Sequence, residues 1–151
     1  MKRDIRYQGA IIKDDHMLLI RHREHVGGRS YWVIPGGGRE PGESEEECVR
    51  REMREETSLD VAVERLLLDE VGIPGGVYKY RKTYLCRIIG GTAAPGFEPE
   101  PEASSNYAIV EVRWFDLTDP SSWGEDMKED PFTYPMVRRI CAALGYTPSQ
   151  K

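Results

Sequence analysis

Residues 31–59 read YWVIPGGGREPGESEEECVRREMREETSL, and the order of elements in this stretch organises the rest of the chain. Tyr31 to Ile34 is a short aromatic and aliphatic run of the kind that forms a strand. Pro35 and the glycines Gly36, Gly37 and Gly38 end it, and Pro41-Gly42 makes a second turn. A helix is predicted over Ser44 to Thr57. Ser44 can cap its first turn, and Glu47 stands three residues later, the spacing of a capping box. Glu43, Glu45 and Glu46 gather where the helix dipole favours negative charge. Arg51 and Glu55 form an i,i+4 pair.

On this helix Glu52, Glu55 and Glu56 fall within an arc of about 100°. Like charges so placed repel one another, and burial strengthens the repulsion. One reading is a solvated charged face with Arg50, Arg51 and Arg54 as partners. The other is a site for a hard divalent cation. Magnesium prefers carboxylate oxygens, keeps several waters and bridges to substrate phosphates. The glycines ahead of the helix favour the second reading, because a backbone without Cβ can approach a phosphate or a metal closely.

Outward from the helix, Arg6 to Lys13 and Met17 to Arg21 are apolar runs separated by Asp14-Asp15-His16, which predicts a hairpin. Val61 to Val71 and Tyr78 to Ile89 read as strands, and Tyr107 to Leu117 as another. Residues 90–106, GGTAAPGFEPEPEASSN, form a loop longer than most in compact domains, a kind that is usually functional or mobile. Phe132 to Leu144 is a closing helix with Met136, Val137, Ile140 and Leu144 at helical spacing, and Gly145 lies just past its end. Strands mixed with two principal helices give an α/β or α+β chain of one domain.

Composition narrows the function classes. The 151 residues carry a net charge of -5, and no basic stripe of the sort that grips nucleic acid is visible. DNA is not an expected partner. Cys48, Cys86 and Cys141 are widely separated and odd in number, with no zinc spacing, and read as buried reduced thiols. The first twenty residues hold no apolar run of signal-peptide length, and no stretch approaches the ~20 apolar residues that span a bilayer. A cytoplasmic protein without membrane contact is expected. Trp32 and Trp114 read as core residues, and His16, His22 and His25 as surface residues.

The stretch from Gly37 to Leu59 resembles the signature of the Nudix hydrolases, a family that includes the MutT-like and ADP-ribose pyrophosphatase-like enzymes. That signature is glycine, five residues, glutamate, seven residues, Arg-Glu, an aliphatic, any residue, Glu-Glu, any residue, glycine and an aliphatic. Gly37, Glu43, Arg51, Glu52, Met53, Glu55, Glu56 and Leu59 match it. Ser58 departs from it, standing where the family has glycine just past the helix. The flanks MLLIRHRE and VEVRWFDL are similar to the family's as well, so the likeness covers roughly residues 5 to 145.

The resemblance implies a Nudix-type α/β/α sandwich with a mixed sheet. It implies Mg²⁺ or Mn²⁺ held by Glu52 and Glu56, assisted by Glu55 and the carbonyl of Gly37. Arg51 and Glu43 would pair to hold the loop against the helix. It implies hydrolysis of a diphosphate linkage in a nucleoside diphosphate joined to another group, with Glu52, Glu55, Glu56 and Arg51 in the catalytic set. The general base would be a carboxylate on the helix or later in the chain, where Glu98, Glu100, Glu102 and Glu111 are candidates. Arg21, Tyr31, Tyr78 and Tyr80 are candidates for substrate contact, as is Phe97. Pro74, fifteen residues after Leu59, resembles a feature of the ADP-ribose-cleaving branch. ADP-ribose or an ADP-sugar therefore leads, followed by nucleoside triphosphates and dinucleoside polyphosphates. The competing reading is a Nudix-fold nucleotide-binding or regulatory domain without turnover, and a homodimer is compatible with either.

Overall fold

A computed structural model describes residues 4–96 and 106–146. Strands β1 (Ile5–Lys13) and β2 (His16–Glu24) form the predicted hairpin. Asp14 and Asp15 make its two-residue turn, both at positive φ, which suits the twist of the flanking strands. β3 (Ser30–Val33) and β4 (Gly36–Gly38) follow, then helix α1 (Glu45–Thr57). β5 (Leu59–Val71), β6 (Tyr80–Gly91) and β7 (Tyr107–Asp116) complete the strands. A 3₁₀ turn (Pro120–Trp123), the one-turn helix α2 (Glu125–Lys128) and helix α3 (Thr133–Leu144) close the described chain.

The strands form one mixed sheet in the order β3-β2-β1-β6-β5, with β4 added on β1 and β7 on β2. β1 and β6 run parallel, and the other pairs are antiparallel. β1 pairs with β2 only at Ile12 and Lys13, while β4 takes up Arg6 to Gln8. The two strands therefore part company, and a cleft opens between them.

Apolar side chains fill both faces. Tyr7, Ile11 and Leu18 pack with Cys48, Val49 and Met53 of α1. Ala10, Leu19, Trp32 and Phe115 pack with Met136, Val137 and Ile140 of α3 on the other side. This is the expected α/β/α sandwich. The three cysteines are buried and free, and Trp32 is in the core, while Trp114 is only partly buried against the α1 cluster. No helix among the described residues is long and apolar enough to cross a membrane.

Candidate active site at the acidic helix

The helix begins as its sequence dictates. Ser44 accepts from the Glu47 backbone N–H at 3.1 Å, and the Glu47 carboxylate accepts from the Ser44 N–H at 2.8 Å. It ends at Ser58 in the left-handed region, with φ 66°. Its N–H donates to the carbonyl of Arg54, and its hydroxyl donates to the carbonyl of Ala94 at 3.2 Å. Serine thus occupies a conformation that favours glycine and gains one side-chain hydrogen bond there.

Glu52 and Glu56 are not on a solvated face. They are 4% and 1% exposed. Both lie against β4. The Gly36 N–H donates to Glu56 Oε1 at 2.9 Å. A Cβ on Gly37 would collide with the Glu52 carboxylate, so only glycine lets that carboxylate sit on the backbone.

Arg51 compensates the acids. Its guanidinium donates to Glu43 at 2.6 and 3.0 Å, to Glu52 and Glu55 at 3.1 Å each, and to the Gly38 carbonyl at 3.0 Å. The helix face is therefore not purely self-repelling, as the arc of acids alone suggested, because the neighbouring arginine offsets part of the repulsion. Burial alone would raise the Glu43 carboxyl, but the hydrogen bonds and charge of Arg51 hold it below its ordinary value. Among the described residues no three His, Cys, Asp or Glu side chains are grouped to enclose a metal. The Gly37 cradle and the buried, oxygen-only donor set still fit a hard cation that would share these acids with Arg51.

A cleft of about 660 Å³ opens beside this loop, with Gly36 and Gly37 in its wall. Arg6 and Gln8 of β1 and Arg81 of β6 line it on one side, and His22 and Tyr31 on the other. The turn at Pro74 contributes Ile73, Val77 and Tyr78 to the rim. Pro74 and Gly75 occupy the centre of a tight turn in which the Gly76 N–H donates to the Ile73 carbonyl, and Gly75 has φ 79°.

Several expected site residues lie elsewhere. Tyr31 and Tyr78 line the cleft, but Tyr80 does not. The alternation of β6 puts Tyr80 on the face shared with Lys82 and Tyr84, which contact Glu45 of α1. Arg21 is also outside the cleft. It stacks on Trp32 at 5.2 Å and pairs with Glu111 and Asp126 at 3.8 Å each. Glu111 is held by Arg21 and, at 3.2 Å, by Arg113. It shares the β7 face of Phe115, which packs toward α3, whereas Val112 and Trp114 turn toward α1. The structure therefore does not bring Glu111 together with the acids of the helix. Glu98, Glu100, Glu102 and Phe97 lie outside the described residues.

Other residues in the cleft went unnoticed in the sequence. His22 is not at the surface. It is 7% exposed and stacks on Tyr107 with ring centroids 4.0 Å apart. Burial, and then the charge of Arg6, push its pKa down to about 3, so the ring stays neutral. Arg6 carried a signal in its strand: IRYQGAIIK places Arg6 and Gln8 on the same face as the buried Ala10, an unusual position for an arginine.

The NUDIX domain family matches residues 5–140. The chain belongs to the Nudix family. Its relatives include a NAD-capped RNA hydrolase of Vibrio atlanticus, 33% identical over 72% of this chain and 36% of that protein. An 8-oxo-dGDP phosphatase of Homo sapiens is 31% identical over 70% of this chain and 30% of that one. The chain spans between 26% and 46% of the length of the curated relatives it matches. The solved ADP-ribose pyrophosphatase of Streptococcus suis shares the fold with a TM-score of 0.67 and 22% identity, over 97% of this chain and 96% of that one. Glu52, Glu55 and Glu56 therefore stand on the helix of a Nudix box, and the cleft adjoins its glycine loop.

Proposed function

We propose that the chain hydrolyses a diphosphate linkage in a nucleoside diphosphate joined to another group, with Mg²⁺ as cofactor and Mn²⁺ as its substitute. One observation carries this reading. Gly36 and Gly37 touch the buried carboxylates of Glu56 and Glu52 and also line a cleft large enough for a nucleotide. Glu52 and Glu56, with Glu55 and the Gly37 carbonyl, would hold the metal, which when bound supplies charge neutralisation and an activated water. Arg51 and Glu43 hold the loop on the helix, so the acids stay fixed. Tyr31 and Tyr78 border the space for the base.

ADP-ribose or an ADP-sugar leads among substrates. Pro74 supports it, and so does the activity named for the Streptococcus suis protein of the same fold. Three of the similar proteins are named for 8-oxo-dGDP, ADP-ribose and UDP-X, each a nucleoside diphosphate compound. Nucleoside triphosphates and dinucleoside polyphosphates follow. The chain would act as one domain in the cytoplasm, alone or as a homodimer, without DNA or membrane partners. The intact acid set favours turnover over a purely nucleotide-binding role.

The test is a panel of nucleoside diphosphate derivatives assayed for product release with Mg²⁺ and with chelator. Release from at least one substrate that stops on chelation is expected. Binding without release across the panel would point instead to a non-catalytic nucleotide-binding domain.

A further inference from the structure

Arg6 and Arg81 are direct neighbours in the sheet. β1 and β6 run parallel with Arg6 opposite Arg81, so both side chains leave the same face, and both line the cleft. Adjacent like charges on neighbouring strands are destabilising. The surroundings offset this only in part. Arg6 donates to Gln8 Oε1 at 3.2 Å and to the Ile34 carbonyl at 2.7 Å, both neutral acceptors, and makes no ion pair among the described residues. Arg81 pairs with Glu70 at 2.9 Å through one terminal nitrogen. Glu70 is shared with Arg139 at 2.5 Å. The Nε of Arg81 is buried without a hydrogen-bond partner, although the residue is only 6% exposed. Such an orphaned charged donor is costly and needs an explanation.

Among the described residues the rest of the cleft offers these arginines no ion pair. Asp130 lines it, but its carboxylate accepts the backbone N–H groups of Phe132 and Thr133 at the start of α3. Arg29 already pairs with Glu24 and stacks on Tyr31. His22 adds no charge. Across β4 the case is reversed. Arg6 stands opposite Gly38, and Gly36 and Gly37 carry the box acids on their other side. A strand of three glycines separates the buried carboxylates from the buried Arg81 and the half-buried Arg6.

We propose that Arg6 and Arg81 form a phosphate clasp on the cleft floor, holding the substrate phosphate that is not engaged at the box acids. This rests on the reading that the cleft takes the substrate of the Nudix box. A guanidinium is suited to the role because it donates in a fixed fork that matches phosphate oxygens. The clasp would place one phosphate on each side of the glycine strand, so that the bond between the two phosphates lies at Gly36 and Gly37. Selectivity for diphosphates over monoesters would follow from that spacing.

Calorimetric titration in chelator tests the clasp without turnover. The probes are adenosine 5′-monophosphate, inorganic pyrophosphate and adenosine. The wild type should bind the monophosphate at least about tenfold more tightly than adenosine, as charge-assisted contacts require. Arg6→Gln and Arg81→Gln should each remove most of that difference and weaken pyrophosphate in parallel, leaving adenosine unchanged. Arg81→Gln also breaks the link to Glu70, so Arg6→Gln, which leaves that link whole, is the deciding variant where Arg81→Gln melts early. Equal binding of monophosphate and adenosine by the wild type would overturn the clasp, as would an undiminished preference in Arg6→Gln. Loss of Mg²⁺-dependent hydrolysis with this preference intact would fault the box reading and leave the clasp standing.

Discussion

Helix α1 and the floor of the cleft both crowd like charges into a buried place, and they differ in where the opposite charge comes from. Around α1 the acids Glu43, Glu52 and Glu55 share one guanidinium, that of Arg51. In the cleft Arg6 makes no ion pair among the described residues, and Arg81 shares Glu70 with Arg139. The acid cluster is thus partly neutralised within the chain and stable before any cation arrives. The arginine pair awaits an anion from outside. A diphosphate with its metal would complete both, since it brings positive charge to one side of β4 and negative charge to the other.

The sharpest way to break this contrast is to remove a box carboxylate. Glu52→Gln keeps the side-chain size and nearly the same helix propensity. We expect kcat to fall by about 10²-fold or more, equivalent to about 2.7 kcal/mol, with the helix intact by circular dichroism. Near-wild-type kcat on a substrate that the wild type cleaves would make the box structural.

Next in size is Arg51→Gln. It leaves three carboxylates without their common partner, and a loss of about 2 kcal/mol in chemical denaturation is expected from the missing charge-assisted bonds. Millimolar Mg²⁺ should restore part of that loss, because a cation at the same acids replaces the guanidinium. The pH dependence should change as well. Glu43 has a folded pKa below its ordinary value, so its contribution is present above the ordinary carboxylate range and is lost as pH falls through the depressed value. In Arg51→Gln that acid-side loss should shrink. An unaltered acid limb would show that Arg51 is not what stabilises Glu43.

How much of this was legible depended on how local each feature is. The capped helix could be read because Ser44, Glu47 and the acids of its first turn lie within a few residues of one another. The place of Ser58 just past the helix could be read for the same reason, whereas its left-handed backbone is seen only in the structure. The hairpin at Asp14-Asp15 was equally local. The cleft was not legible, because Arg6 and Arg81 meet only through the parallel pairing of strands far apart in sequence. Tyr80 was placed with Tyr78 on the strength of type and proximity, yet β6 begins at Tyr80 and its alternation sends Arg81 to the cleft instead. Arg21 and His22 show the same sensitivity. They are adjacent in β2, and the one expected to touch substrate is at Trp32, while the one expected at the surface is buried beside Tyr107.

Smaller effects test the edges of the helix. Ser58→Gly relieves a left-handed serine and forfeits its exposed bond to Ala94. A net gain of up to about 1 kcal/mol is expected, which for a chain of this size raises Tm by roughly 2–4 °C. A lower Tm would show that the Ala94 contact outweighs the backbone term. Glu111→Gln should change least. With Glu111 turned from α1 and held by Arg21 and Arg113, kcat should stay within a few-fold of wild type. A large loss at unchanged metal affinity would restore Glu111 as the general base.

In the function proposed above, the box acids form a cation site that a nucleotide in the adjoining cleft completes. Calorimetric titration of Mg²⁺ into the protein, with and without a non-hydrolysable nucleoside diphosphate analogue, measures this directly. Mg²⁺ binding should tighten when the analogue is present and be lost in Glu52→Gln. Analogue binding that is the same with Mg²⁺ and with chelator, together with Mg²⁺ binding indifferent to Glu52, would contradict it.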